Sequence, residues 1–291
     1  MRTASTAAPV TMHGMTDAPC AFLHLLETDT TWREPGAFRW RADAADQLDL
    51  LLVAMTDDTQ RQRAESLLEA MSAADDALFR ELRAAIIAGE GKAALAPWLD
   101  VGEPVGAHYD ALDVLLAGVL AIDEPVLDDP RPPADMVFYQ PTPARHIVDA
   151  VRRTALSPAD HLLDLGSGLG HVPLLARILS GAAVSGLDRE PAYVDSARNA
   201  ATALGLPEVA FACGDARDAD YSRANVFYLF TPFIGPVLRD VVARLEAEAQ
   251  KRPVQIVALG PCTRTFARQP WLQTKDAHPE ATDRVVLFTP R

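Results

Sequence analysis

The sequence predicts an α/β fold: a mostly parallel, doubly wound sheet of seven strands that ends in an antiparallel hairpin and follows an all-α N-terminal domain. Three observations predict it. After residue 135, short apolar runs alternate with helical patterns. The first run, His161–Leu165, leads into a turn with Gly166, Gly168 and Gly170, which is typical of a strand that ends at a ligand-binding edge. Before residue 128, apolar residues instead recur at helical spacing.

The N-terminal half predicts a leader, a helical domain and a linker. Residues 1–20 are rich in Ala and Thr and lack the apolar core of a secretory signal, so we expect a disordered leader. Residues 21–134 form the predicted acidic helical domain, with helix over about 41–96, broken near Gly89–Gly91, and again over His108–Ile122. The acidic, Pro-rich stretch Asp128–Pro133 is the predicted linker.

Residues 135–291 form the predicted second domain. Its first helix begins with Thr142 as N-cap and Pro143 in the first position, and runs to about Thr154. The strands and helices that follow, in chain order, are strand His161–Leu165, helix Val172–Leu179, strand Ala183–Leu187, helix Ala192–Leu204, strand Val209–Cys213, strand Asn225–Phe230, helix Pro236–Gln250, strand Val254–Leu259, and a hairpin of Trp271–Lys275 with Arg284–Phe288.

Composition and charge limit the function classes. The chain has 291 residues, of which 49% are apolar and 23% are charged. These fractions are typical of a soluble globular protein. The net charge of −13 is uneven: residues 1–135 hold 24 acids and 10 Lys and Arg, and the remainder 16 acids and 17 bases. This balance argues against a nucleic-acid or anionic-membrane binder. The acidic half could recognise a basic substrate, cap the active site, form a homodimer, or only confer solubility.

The three cysteines, Cys20, Cys213 and Cys262, lie far apart and form no CxxC pair. They fit neither a disulfide framework nor a zinc site, so we expect reduced thiols in a cytoplasmic protein. The most apolar run, Ala111–Ile122, is too short to span a membrane. No Asp/His cluster suggests a metal, and we expect none.

An acid lies at three successive strand ends. Asp164 is inside the first strand, Asp188 ends the second, and Asp215 follows the third. The carboxyl ends of parallel strands meet at one edge of the sheet, where ligands bind. Asp188 could hold the two hydroxyls of a ribose, or only cap the helix that follows. Asp215 could accept from an adenine amino group, or form an ordinary Gly-Asp turn.

Together these stretches resemble the three motifs of the class I S-adenosylmethionine-dependent methyltransferases: L-L-D-L-G-S-G-L-G, S-G-L-D-R-E and C-G-D-A. The resemblance covers about Val137–Arg291. It implies that the glycine turn receives the methionine part of S-adenosyl-L-methionine, with Asp164 near the ammonium group, Asp188 on the ribose and Asp215 facing the adenine. The cofactor-binding residues predicted in this way are Asp164, Gly166, Ser167, Gly168, Gly170, Asp188, Arg189, Asp215, Ala216 and Gln140.

Two other nucleotide sites share this type of sheet. A nicotinamide-binding domain would have G-x-G-x-x-G directly after the strand, whereas this chain has G-x-G-x-G followed by His171. A P-loop is excluded because no G-K-[ST] follows the glycines. The acid two residues before the first glycine also favours the methyl donor.

The fourth strand end, Phe227–Phe233, is where relatives bind the methyl acceptor. The Asn/Asp-Pro-Pro-aromatic tetrad of amino-methylating relatives has Phe230 in its first place here, so its polar residue is missing. Tyr228 and Thr231 are the only hydroxyls of an apolar rim that either lines the site or packs in the core. Upstream, Tyr139 and Gln140 could reach the cofactor or acceptor, or belong to a turn and helix cap. The predicted catalytic residues are Tyr139, Tyr228 and Thr231.

The spacing of the motifs somewhat resembles lysine methyltransferases of the Dot1 type, which favours a protein amine as acceptor. Such a transfer needs mainly positioning and a neutral amine. Methyl transfer to an oxygen acceptor would require a histidine or a metal ion, and the candidate histidines are His146 and His171. A small-molecule methyltransferase and a non-catalytic cofactor-binding module stay open as alternatives.

Overall fold

The computed structural model of the protein describes residues 18–100, 102, 104–106, 108–127 and 135–291. The predicted linker, and the predicted leader up to residue 17, lie outside these residues. By their contacts the described residues form two compact units, which divide between Leu78 and Phe79. The predicted domain boundary at residues 134/135 stays a prediction; the helical residues from Phe79 onward pack with the sheet unit.

The first unit is helical. It contains α1 (Ala18–Thr28), α2 (Phe38–Ala54) and the first part of α3 (Asp58–Ile87). The sequence predicts one long helix here, but the chain leaves the helix at Met55, where the backbone is extended at ψ 126°. Apolar side chains from the three helices form a core of their own. Inside it, buried Arg41 donates to the Asp75 carboxylate at 2.6 Å, which neutralises the charge.

The second unit is built on a seven-stranded sheet, as predicted, with strand order β3-β2-β1-β4-β5-β7-β6. All neighbours are parallel up to β5, and β7 pairs antiparallel with both β5 and β6. The strands are β1 (His161–Leu165), β2 (Ala183–Asp188), β3 (Ala210–Cys213), β4 (Val226–Phe230), β5 (Gln255–Leu259), β6 (Leu272–Gln273) and β7 (Val286–Pro290).

Helices surround this sheet, most of them close to the predicted positions; the short helix Thr263–Ala267 was not predicted. The remaining helices are α4 (Gly91–Leu95), α5 (Ala111–Leu120), α6 (Ala144–Arg153), α7 (His171–Ser180), α8 (Pro191–Ala203), α9 (Gly235–Ala249) and α10 (Thr263–Ala267). On one face, Leu163 and Leu165 of β1 join a core with α9 and α10. Successive strand residues face opposite sides, so Asp164 faces the other side of the sheet. None of the described helices is long and apolar enough to cross a bilayer.

The predicted N-cap of α6 is wrong. Pro143 occupies the N-cap position without a side-chain hydrogen bond. The Asp113 carboxylate of α5 instead accepts from the Ala144 N–H at 2.7 Å, while Thr142 accepts a hydrogen bond from Tyr228. A carboxylate from a neighbouring helix therefore satisfies the first N–H group of α6.

Candidate functional site

The site lies where the strand order reverses, between β1 and β4. From this pair the chain adds β2 and β3 on one side and β5 on the other. Because the following loops turn in opposite directions, a crevice opens at the carboxyl ends of these strands. The crevice holds a cavity of about 470 Å³, within the usual range for a small-molecule site.

The cavity brings together most of the residues predicted from the sequence. The predicted site residues that line it are Tyr139, Gln140, Asp164, Gly166, Ser167, Asp188, Arg189, Tyr228 and Thr231. Gly168 and Gly170 belong to the same turn but are not part of the lining. His171 lines the cavity, whereas His146 is buried with its Nε2 2.8 Å from the Gly106 carbonyl oxygen.

The glycine turn shapes the cavity through the absence of side chains. Gly166 and Gly168 have φ of +88° and +50°, a region that favours glycine. A Cβ on Gly166 would lie 2.1 Å from Pro232, and one on Gly168 would lie 2.1 Å from the Tyr139 ring. The fourth strand end and the Tyr139 segment can therefore approach the turn only because it has no side chains.

Four N–H groups of this turn form hydrogen bonds within the protein. The N–H groups of Gly166 and Ser167 both donate to the Leu187 carbonyl, at 2.8 and 2.9 Å. The Gly168 N–H donates to the Asp188 carboxylate at 2.7 Å, and the Gly170 N–H to the Ser167 carbonyl at 2.9 Å. The polar groups that this side of the cavity offers a ligand are therefore side chains, among them the carboxylates of Asp164 and Asp188 and the hydroxyl of Ser167.

Asp164 and Asp188 are neighbouring acids on this wall. Burial, and next the charge of Asp188, raises the pKa of Asp164 well above its usual range. Burial also raises the pKa of Asp188, although its oxygens accept from the N–H groups of Glu190 and Gly168. A cationic group beside Asp164 would offset this repulsion.

Asp188 does not cap the next helix, because Glu190 takes that place and accepts from the Ala192 N–H at 3.2 Å. Its carboxylate holds the turn and still lines the cavity. Since a carboxylate has about four acceptor positions and the backbone N–H groups of Glu190, Gly168 and Arg189 use three, it can also accept from a ligand hydroxyl.

Asp215 and Ala216 are not part of the cavity lining. Arg217 holds the Asp215 carboxylate through two side-chain bonds of 3.0 and 2.8 Å and a backbone N–H bond of 2.8 Å. The Arg217 bond and guanidinium charge lower the pKa of Asp215 to about 2. These contacts are those of a turn; the predicted contact with an adenine stays a prediction.

Tyr139 closes over the glycine turn. Its ring lies 4.9 Å from that of Tyr193, and its hydroxyl is bonded to the Leu169 backbone and lies 3.2 Å from His171 Nδ1. Burial lowers the pKa of His171 to about 4, so at neutral pH the ring is uncharged and Nδ1 can accept from the phenol. Tyr193 was not predicted, although its place in the first turn after the second acid could have indicated it.

The fourth strand end forms the opposite wall. Thr231 has φ +41°, which is unusual for a β-branched residue and signals a strained backbone. Its hydroxyl donates to the Leu259 carbonyl at 2.9 Å and accepts from the Cys262 N–H at 3.0 Å. Buried Tyr228 donates to Thr142 Oγ1 at 3.4 Å. Two of the three predicted catalytic hydroxyls, those of Tyr228 and Thr231, thus have partners inside the protein.

A short segment before α6 covers this wall. Met136 forms an antiparallel bridge with Phe233, and the Val137 N–H donates to the Pro232 carbonyl at 3.2 Å. Phe138 and Ile234 flank the cavity and remain 68% and 46% exposed. The sequence did not indicate this pairing, because a single bridge leaves no periodic pattern.

The residues present fit S-adenosylmethionine. One cavity contains the carboxylates of Asp164 and Asp188, backbone without side chains at the glycine turn, and the buried Ser167 hydroxyl. That hydroxyl has no hydrogen-bond partner among the described residues. When bound, S-adenosylmethionine supplies a methyl carbon that its sulfonium makes electrophilic. In the described residues, no three His, Cys, Asp or Glu side chains are grouped as a metal site would need; the expectation of no metal stays a prediction.

Comparisons with known proteins matched one family model and a set of solved structures. A family model described as a methyltransferase domain matches residues 156–235. No curated protein matched the sequence. Among solved structures, an RNA methyltransferase from Salinibacter ruber in complex with S-adenosylhomocysteine is 25% identical, with a TM-score of 0.42, over 52% of this chain and 92% of its own. A methyltransferase from Thiobacillus denitrificans in the same complex is 23% identical, with a TM-score of 0.35, over 40% of this chain and 47% of its own.

Proposed function

We propose that this chain, which carries a class I S-adenosylmethionine-dependent methyltransferase domain, transfers the methyl group to an amine of a protein. Its cofactor is S-adenosyl-L-methionine. The observation that carries the proposal is the wall formed by the fourth strand end, where the hydroxyls of Tyr228 and Thr231 are both bonded inside the protein.

An acceptor on this wall must be a nucleophile without help from those hydroxyls. The rest of the wall is apolar, with Met136, Phe138, Phe230, Pro232 and Ile234. An apolar surface disfavours the charged form of an amine and so lowers its pKa. A neutral amine attacks a methyl carbon through its lone pair, forms the C–N bond as the C–S bond breaks, and loses its proton afterwards. Positioning and desolvation therefore suffice for this acceptor.

The rim of the cavity favours a cationic side chain on a larger partner. Burial raises the pKa of the Tyr193 phenol most, and nearby carboxylates, among them Glu190 and Glu124, raise it further. These acids would attract a lysine ammonium before it enters. The exposed side chains of Val137, Phe138 and Ile234 beside the opening supply apolar surface for the flanking residues of a protein substrate.

The test uses methyl-labelled S-adenosylmethionine with the purified protein and host lysate separated into protein, RNA and small-molecule fractions. We expect label in the protein fraction, recovered as methyl-lysine after acid hydrolysis. Asp188→Ala, which removes the carboxylate predicted to hold the ribose, should abolish the label. The matched control is Asp195→Ala, whose side chain is 70% exposed on α8. Asp188-dependent label in small molecules or RNA, with none in protein, would overturn the proposal.

A further inference from the structure

A second cavity of about 260 Å³ lies in the sheet unit between α5, α6 and α7. Leu116, Leu120, Ile147 and Leu175 form its floor and are buried. Exposed Ala117 lies at its margin. Tyr109 and Ala117 are both exposed, so the cavity opens to the surface there and a ligand can enter it from solvent.

The polar groups at its edge are already bonded. The Asp113 carboxylate accepts from the N–H groups of Ala144 and Asp110, at 2.7 and 2.8 Å. The Tyr109 hydroxyl donates to the Pro141 carbonyl at 2.9 Å. A ligand here would meet mainly aliphatic side chains, so a charged or strongly polar molecule would lose hydration without replacement.

We propose that this cavity binds a small, uncharged hydrophobic molecule. An apolar cavity of about 150 Å³, engineered in another protein, stays dry and binds benzene. The larger volume here suits a fused two-ring or short alkylbenzene compound. The inference does not rest on the proposed methyl acceptor, because the binding needs neither cofactor nor acceptor.

The ligand would border the methyl-transfer cavity. Pro141, Thr142 and His171 line both cavities. Thr142 holds the Tyr228 hydroxyl, and His171 is the neighbour of the Tyr139 hydroxyl. A molecule bound between the helices should therefore change the NMR signals of the His171 ring. Because His171 also lines the first cavity, the location of binding is identified by variants of Ala117, which lines the second cavity and is not part of the first lining.

The experiment titrates naphthalene and butylbenzene into the full-length protein without cofactor and follows the His171 ring signals. We expect saturable shifts. Ala117→Phe places a ring at the margin and should weaken binding by about tenfold or more, equivalent to one step of 1.4 kcal/mol. Val114→Phe, on a 53% exposed position of the same helix outside the lining, should leave binding within about twofold.

Thermal melting of both variants checks that they fold, and Ala117→Met repeats the test with a flexible side chain. Loss of binding in the Ala117 variants alone supports the proposal. Shifts that do not saturate in the wild type, or binding that is equal in the Ala117 and Val114 variants, would overturn it. Neither result bears on methyl transfer, which the labelling experiment measures separately.

Discussion

Replacing Asp164 by Asn removes a buried charge while keeping the size and shape of the side chain. Asp164 is 3% exposed, lines the cavity and lies beside the Asp188 carboxylate. If it holds the ammonium group of the cofactor, the substitution replaces an ion pair by a neutral contact. A hydrogen bond to a charged group contributes about 1.5–3 kcal/mol. We therefore expect the Kd for S-adenosylhomocysteine, which carries the same ammonium, to rise by about 10- to 150-fold.

The same variant has an expected pH signature. Burial raises the pKa of Asp164 above the ordinary 3.8, so the free protein holds its proton to a higher pH than the unfolded chain does. Binding of a cation favours the ionised carboxylate. Wild-type affinity should therefore fall as pH decreases through the raised pKa, and that step should be absent in Asp164→Asn. Proton release on binding, measured by calorimetry in two buffers of different ionisation enthalpy, should also disappear.

The stability of the wild type should depend on pH in the opposite direction to its affinity for the cofactor product. The unfolded carboxyl ionises at a lower pH than the folded one, so the wild type loses stability as pH rises from 3.8 through the raised pKa. Above that pKa, Asp164→Asn should be more stable than the wild type in urea. The control is Asp195→Asn, which is exposed. An unchanged Kd for Asp164→Asn at neutral pH would refute the assignment of the ammonium to this carboxylate.

Three further predictions concern neighbouring residues. Asp188→Asn should weaken the binding of S-adenosylhomocysteine more than Asp215→Asn does, because Asp215 lies outside the cavity lining and is already bonded to Arg217. The reverse order of the two Kd values in calorimetry would contradict this. Thr231→Val should lower the free energy of unfolding by about 2–5 kcal/mol, because the buried Cys262 N–H and Leu259 carbonyl lose their partner, whereas Thr231→Ser should lower it by less than about 1 kcal/mol. Equal urea midpoints for the two variants would exclude this account. Gly166→Ala should cost about 2–5 kcal/mol by the strain at φ +88° and the clash with Pro232, and a wild-type melting curve would disprove it.

The sequence predicted the sheet well because each strand leaves a local signal. Strands buried on both faces have apolar runs, and His161–Leu165 is found with the predicted bounds. The helix break at Met55 was missed, since neither glycine nor proline marks it. The N-cap of α6 was missed because its acceptor, Asp113, is 31 residues away in the chain.

For the site, the sequence identified side chains but not their partners. The strand-end rule placed Asp164 and Asp188 on one cavity, as the structure shows. The strand-end rule could not show that Arg217 forms an ion pair with Asp215, because such a pair depends on the direction of the two side chains. Nor could it show the positive φ of Thr231 or the hydrogen bonds of its hydroxyl with Leu259 and Cys262, which are distant in the chain. The Dot1-like resemblance and the predicted homodimer stay predictions.

The most direct test of the account is a crystal structure of the protein with S-adenosylhomocysteine. It should place the ligand at the carboxyl ends of β1 and β4, with its ammonium within hydrogen-bonding distance of Asp164 and its ribose hydroxyls on Asp188. Its sulfur should point toward the wall of Phe230 and Pro232, where the acceptor amine would enter. A ligand bound elsewhere, or one whose ammonium and ribose contact neither carboxylate, would contradict the account.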